Sequence, residues 1–163
     1  MSKETRLFWI LTISTIAWII LMRPFTPGNI VEFEFAKTMD HAQLIISNWG
    51  AEGVAKAQMS IYLDFIFLIL YSWTISLGCK VVIASTSFDW LRKMGEYLSM
   101  IIWFAGSCDL VENFAMLITL SGMNEFSVAA AYYFAMFKFA IVLVCLLFII
   151  ITPIIKLVVK RKS

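Results

Sequence analysis

Four long apolar runs, separated by short polar stretches, set the pattern along this chain. The first covers residues 7–22, behind Lys3 and Arg6. Its length, about 24 Å as a helix, is short for a membrane span. Arg23-Pro24-Phe25 follows it in place of a small-x-small cleavage site, so it reads as an uncleaved transmembrane helix and not as a signal peptide. Pro24, Pro27 and Gly28 then break the pattern. From 33 to 49, Phe35, Met39, Ala42, Ile46 and Trp49 recur at steps of three and four, with Lys37, Asp40 and Gln43 on the other side. That spacing predicts one amphipathic helix, ending at Trp49-Gly50, that lies at the headgroups or caps a bundle.

The second span is predicted over 59–78, with 52–58 adding a helical turn or two at its start. A Ser/Thr/Asp turn at 85–89 leads to the third span, 94–120. A tight connection at 121–124 leads to the fourth, 126–151, with Pro153 at its end and a basic tail, Lys160-Arg161-Lys162. The expected fold class is all-α: one polytopic membrane domain over residues 1–163, with four transmembrane helices and one outward-facing amphipathic helix. Composition agrees, since 61% of the residues are hydrophobic against about 45–50% in a soluble domain.

Lys and Arg fix the expected orientation. Nine lie on the side of the termini and the 80–93 loop, and three, Arg23, Lys37 and Lys56, on the other. The positive-inside rule then puts both termini in the cytoplasm, for an integral multi-pass protein of the cell's inner or plasma membrane. The thirteenth basic residue, Lys138, falls inside a span.

Charge inside these apolar runs is the chemical signal. Asp64, Asp109, Glu112 and Lys138 all sit where an ionisable group costs roughly 2.5–3.5 kcal/mol. Counting from the outer helix ends puts Asp64 about 7 Å deep, Glu112 about 12 Å, Asp109 about 16 Å and Lys138 about 18 Å. Asp109, Glu112 and Asn113 share one helix face. That stripe can meet Lys138 across a helix interface, which leaves more acid than one lysine neutralises.

Three cysteines, Cys79, Cys108 and Cys145, are too few and too widely spaced for a disulfide framework or a zinc site. A metal centre from Glu34, His41, Asp64 and Glu112 would be oxygen-rich with one imidazole, without the usual second histidine. A solvated or capping His41 is the simpler reading, and no cofactor is expected. Trp103 could wall a pocket, but facing lipid or packing in the core is the simpler reading. A net charge of +2, with no basic patch interleaved with aromatics, excludes nucleic acid as a partner.

Several short motifs occur in a fixed order: Phe33-Glu34-Phe35-Ala36, Trp49-Gly50, Leu63-Asp64-Phe65-Ile66-Phe67 with Tyr71, Asp109-Leu110-Val111-Glu112-Asn113, and Lys138-Phe139-Ala140. In these the chain resembles a family of small, uncharacterised bacterial four-helix integral membrane proteins, over residues 33–145. The resemblance implies that fold, no assigned activity, and one constellation of Glu34, Asp64, Asp109, Glu112, Asn113 and Lys138. A looser likeness, of architecture alone, is to the emopamil-binding-like proteins of eukaryotes, whose intramembrane acids bind cationic or sterol-like ligands.

The favoured function is binding of a small polar, cationic or lipid ligand in an outward-opening pocket, lidded by the 33–49 helix. Alternatives are a lipid-modifying enzyme using a carboxylic acid as proton donor, a carrier or proton pathway formed by an oligomer, and a structural subunit in which Lys138 and a carboxylate staple two helices. The expected partners are the lipid bilayer and that ligand, with a homo-oligomer left open.

Overall fold

The computed structural model describes residues 2–84, 86, 88–122 and 124–160, with no side-chain description for 158–160. The turn expected at 85–89, the connection at 121–124 and the tail at 160–162 all include residues outside that set. The elements are α1 (Lys3–Met22), a 3-10 turn (Arg23–Phe25), α2 (Ile30–Glu34), α3 (Met39–Ile83), α4 (Asp89–Ser121) and α5 (Glu125–Lys160). α1, α3, α4 and α5 are each long and apolar enough to cross a membrane.

Local chemistry explains where the helices start and stop. The Ser2 hydroxyl caps α1 by accepting from Thr5 N at 3.1 Å. Arg23-Pro24-Phe25 tightens the end of α1 into the 3-10 turn, with Pro24 at a position where its missing N–H costs nothing.

The amphipathic segment departs from the single helix expected over 33–49. Helix α2 ends at Glu34, the chain turns through 35–38, and Thr38 opens α3 by accepting from His41 N at 3.3 Å. Both ends of the apolar stripe are half-buried, but against different partners. Phe35 stacks at 5.5 Å from Phe139 and 6.2 Å from Tyr132 on α5. Ala42, Ile45 and the edge of Trp49 pack instead with Phe33 and Ala36. A continuous helix would send these residues in one direction, and the break separates them.

Gly50 divides α3. Its φ of 60° and ψ of −172° lie in a region open essentially to glycine, so 39–49 and 51–83 are two helical pieces at an angle. Adding a Cβ meets no neighbour there, so the cost of Gly50→Ala is purely conformational. It should destabilise the folded protein by about 1–3 kcal/mol. Unfolding in mixed micelles measures it, and an unchanged midpoint would mean that the kink relaxes freely.

The helical part of the second span therefore reaches back to residue 51, not 59. Asp64 stands about 20 Å along the helix from that start, where a count from 59 gives about 7 Å.

Packing sorts into three layers, in matching order on α3, α4 and α5. One apolar core holds Ile61, Ala115, Met116, Val128 and Ala131 beneath the 33–49 segment. The other holds Tyr71, Cys79, Leu98, Ile102, Cys145 and Phe148. Between them lie Asp64 on α3, Asp109, Glu112 and Asn113 on α4, and Lys138 on α5. Small residues allow close approach beside this layer, at Gly106, and in the apolar core farther along α4, at Gly95. A Cβ on Gly106 would stand 2.6 Å from the Ser72 Oγ, and one on Gly95 2.5 Å from Ile83.

Helix α1 is attached differently. Among the described residues it packs along α3 and has no comparable contact with α4 or α5. Two polar contacts fasten it: Thr15 Oγ1 to Thr74 Oγ1 at 2.9 Å, and Trp18 Nε1 donating to Leu63 O at 3.2 Å. Its remaining surface is apolar and bare, including Ile13 and Ile20, each about two-thirds exposed.

Candidate functional site

The buried charge centres on Lys138. Its Nζ lies 2.8 Å from Glu112 Oε2 and 2.9 Å from Glu112 Oε1, 3.1 Å from Asp109 Oδ1, and 3.7 Å from Glu34 Oε2. Both carboxylates on the α4 stripe thus share the lysine. Glu112 is the closer and has no exposed surface. Glu34 enters because α2 ends there and the chain turns, which aims its side chain down between α3 and α5. Glu34 stands outside the long helices, and burial pushes its carboxyl above the usual carboxylate range despite the pull of Lys138. Asp64 is held separately, accepting from Asn113 Nδ2 at 2.7 Å.

All six residues expected from the sequence therefore come together: Glu34, Asp64, Asp109, Glu112, Asn113 and Lys138. Four carboxyl groups and one ammonium share a layer walled by two apolar cores. Neutrality there requires protons on carboxyl groups or a second cation, because uncompensated charge in a low dielectric costs several kcal/mol per ion.

His41 stays apart. Its Nε2 is 3.2 Å from Glu32 Oε1, both side chains are largely exposed, and its backbone N–H is the one Thr38 caps. Among the described residues no three His, Cys, Asp or Glu side chains are grouped to hold a metal ion. Trp103 points away from the bundle, nearly half exposed. All three cysteines are buried and unpaired as disulfides.

The acidic layer opens onto a cavity of about 420 Å³ between α1, α3 and α5. Glu34, Asp64, Asp109 and Lys138 stand at one end. Ile16, Ile19, Phe67, Ile75, Val142 and Leu146 line most of the rest. From Asp64 to Ile75 this wall runs about 16 Å along α3. Glu112 does not reach the cavity, and of the 33–49 segment only Glu34 does. The pocket is therefore flanked by α1 and not roofed by an amphipathic lid.

Sequence reasoning missed the contributions of α1 and Tyr71. Thr12, Thr15 and Thr74 are the other polar side chains on the wall, and Thr12 and Thr15 donate to their own helix carbonyls. Tyr71 is 6% exposed, and its hydroxyl lies beside Asp109 on the cavity wall without closing a hydrogen bond. A buried hydroxyl without a partner costs about 1–3 kcal/mol, so it marks a place where a polar group is wanted. Tyr71 belongs to the Leu63–Phe67 motif and stands two turns after Asp64, but as a sequence position it looks like one more core aromatic with no sign that its hydroxyl meets acid.

Comparison with protein-family models, curated proteins and solved structures gives no match for this chain.

Proposed function

We propose that this is a multi-pass membrane protein that binds a small amphiphile in the cavity between α1, α3 and α5. A cationic or hydrogen-bond-donating head meets Asp64, Asp109 and Glu34, and the apolar remainder lies along Ile16, Ile19, Val142 and Leu146. One observation carries this reading: surplus acid faces the end of an otherwise apolar cavity, beside an unpartnered tyrosine hydroxyl. An aqueous solute would gain nothing from the long apolar wall, and a plain hydrocarbon would leave the acids bare.

Membrane insertion accounts for the bare apolar outer surface, such as Met100, Ile150 and the exposed face of α1, which in water would form a large aggregation-prone patch. The count of basic residues supports cytoplasmic termini, with the 39–49 helix on the opposite side at the headgroups. Glu112 and Lys138 serve as the fixed ion pair that holds α4 to α5. The acids facing the cavity are left for the ligand.

The test is ligand-induced stabilisation in a non-ionic micelle, comparing decyltrimethylammonium, decanesulfonate and decyl maltoside at equal concentrations. The cation should raise the unfolding midpoint, with a stabilisation that grows with the logarithm of its concentration and reaches about 2.7 kcal/mol at a hundred times its Kd. Val142→Trp, which fills the cavity, should abolish the effect. Equal stabilisation by the sulfonate, or none by the cation, would remove this reading.

A further inference from the structure

Beyond the main cavity, a chamber of about 100 Å³ lies towards the Met22 end of the bundle. Its walls include Thr26, Ser60, Asn113 and Met22. Glu34 and Asp64 line both spaces, so these two carboxyl groups form the partition between them. The chamber has room for several waters, each of which takes about 30 Å³ in the liquid. The Thr26 and Ser60 hydroxyls, 3.0 Å apart, and the Asn113 amide supply polar partners along it. The cavity side is walled almost entirely by carbon.

We infer that Glu34 and Asp64 are a proton-exchange partition: a cationic head entering the cavity displaces a proton from this pair, and the proton leaves through the Ser60–Thr26 chamber. The inference rests on the binding role proposed above and adds its stoichiometry and its exit. The step balances without redox chemistry. A carboxylic acid and a free cation become a carboxylate–cation pair and one released proton.

The surroundings favour this assignment. The titratable groups facing the pair are Asp109 and Glu112 from α4, Tyr71 from α3 and Lys138 from α5, while α1 presents only hydroxyls and apolar groups. Lys138 already has Glu112 and Asp109 within 3.1 Å. Asp64 has no cation within ion-pair distance and Glu34 has Lys138 only at 3.7 Å, so these two have the least cationic compensation, and they are also the two that border the polar chamber. The Glu34 Oε2 is buried, stands 3.7 Å from Lys138 Nζ and closes no hydrogen bond, which leaves it able to take a proton.

The experiment is to titrate decyltrimethylammonium into the wild-type protein in weakly buffered non-ionic micelles containing a pH-indicator dye. Binding and proton release are counted in the same sample, with stopped-flow mixing for the rate. One proton should appear per cation bound, and cation affinity should fall about tenfold per pH unit on the acid side of the exchange. Ser60→Leu, which fills the chamber, should bind the cation with an affinity within about threefold of wild type but slow proton release at least tenfold.

A cation that binds with no proton released overturns the exchange and leaves the binding role standing. Unchanged release kinetics in Ser60→Leu overturn the chamber as the exit. A cation that does not bind at any pH overturns the binding role, and the exchange with it. The wild-type count decides the exchange even if Ser60→Leu fails to fold.

Discussion

Lys138→Met is expected to destabilise the fold by about 3–5 kcal/mol, the cost of removing one partner from a buried ion pair. Glu112 loses a counter-ion at 2.8 Å and Asp109 one at 3.1 Å, and neither side chain has solvent to fall back on. The methionine fills a similar volume, so the loss reports charge and not a hole. Adding Glu112→Gln and Asp109→Asn should recover much of it, because the uncompensated acids are then gone. Reversible unfolding in mixed micelles reads both. A small loss in the single variant, or no recovery in the triple, would mean that the layer is hydrated and that Lys138 is not its counter-ion.

The second large effect is on binding and should leave the fold intact. Asp64→Asn is isosteric, and the new amide oxygen can still accept from Asn113 Nδ2, which now donates to Asp64 at 2.7 Å. What disappears is a negative charge at the cavity wall. The quaternary head has no N–H and meets the carboxylate by charge alone. That attraction is about 3 kcal/mol at about 5 Å and an effective dielectric of about 20, part of it offset by desolvation. Affinity for decyltrimethylammonium should therefore fall about 10- to 100-fold while the ligand-free unfolding midpoint stays near wild type. The contrast with Lys138 is informative. Both residues belong to one cluster, yet one change should be felt in stability and the other in binding. An Asp64→Asn protein that binds as tightly as wild type would shift the recognition of the head to Asp109 and Glu34.

The sequence revealed the cluster more clearly than the space around it. Charged residues inside apolar runs are conspicuous because lipid penalises them. Their spacing on α4 is helical, so Asp109, Glu112 and Asn113 had to share a face, and equal depth had to bring Lys138 near. The four long helices followed from run length alone.

Three features were hidden. Glu34 approaches Lys138 only because the chain turns at 35–38, and that turn reflects a competition between Thr38 capping and helix continuation that a helical stripe does not disclose. The distance of Asp64 from its helix start was underestimated because the count began at 59, although the extra turns allowed for at 52–58 are helix. The cavity exists because α1 leans on α3 without closing against α5. Which apolar helix packs on which is poorly encoded in a sequence where every face is apolar, since contacts with lipid and with protein are then nearly equivalent. Tyr71 and the threonines of α1 gain meaning only from that gap.

The central claim is that the acid-ended cavity holds an amphiphile through its head. Native mass spectrometry of the protein purified in mild detergent, with wild type beside Asp64→Asn and Val142→Trp, tests it most directly. The account predicts a discrete adduct of amphiphile mass on the wild type, weakened in Asp64→Asn and absent in Val142→Trp. Identical spectra for all three proteins, after added decyltrimethylammonium as well as before, would contradict it and leave the buried charges as a fastening between helices.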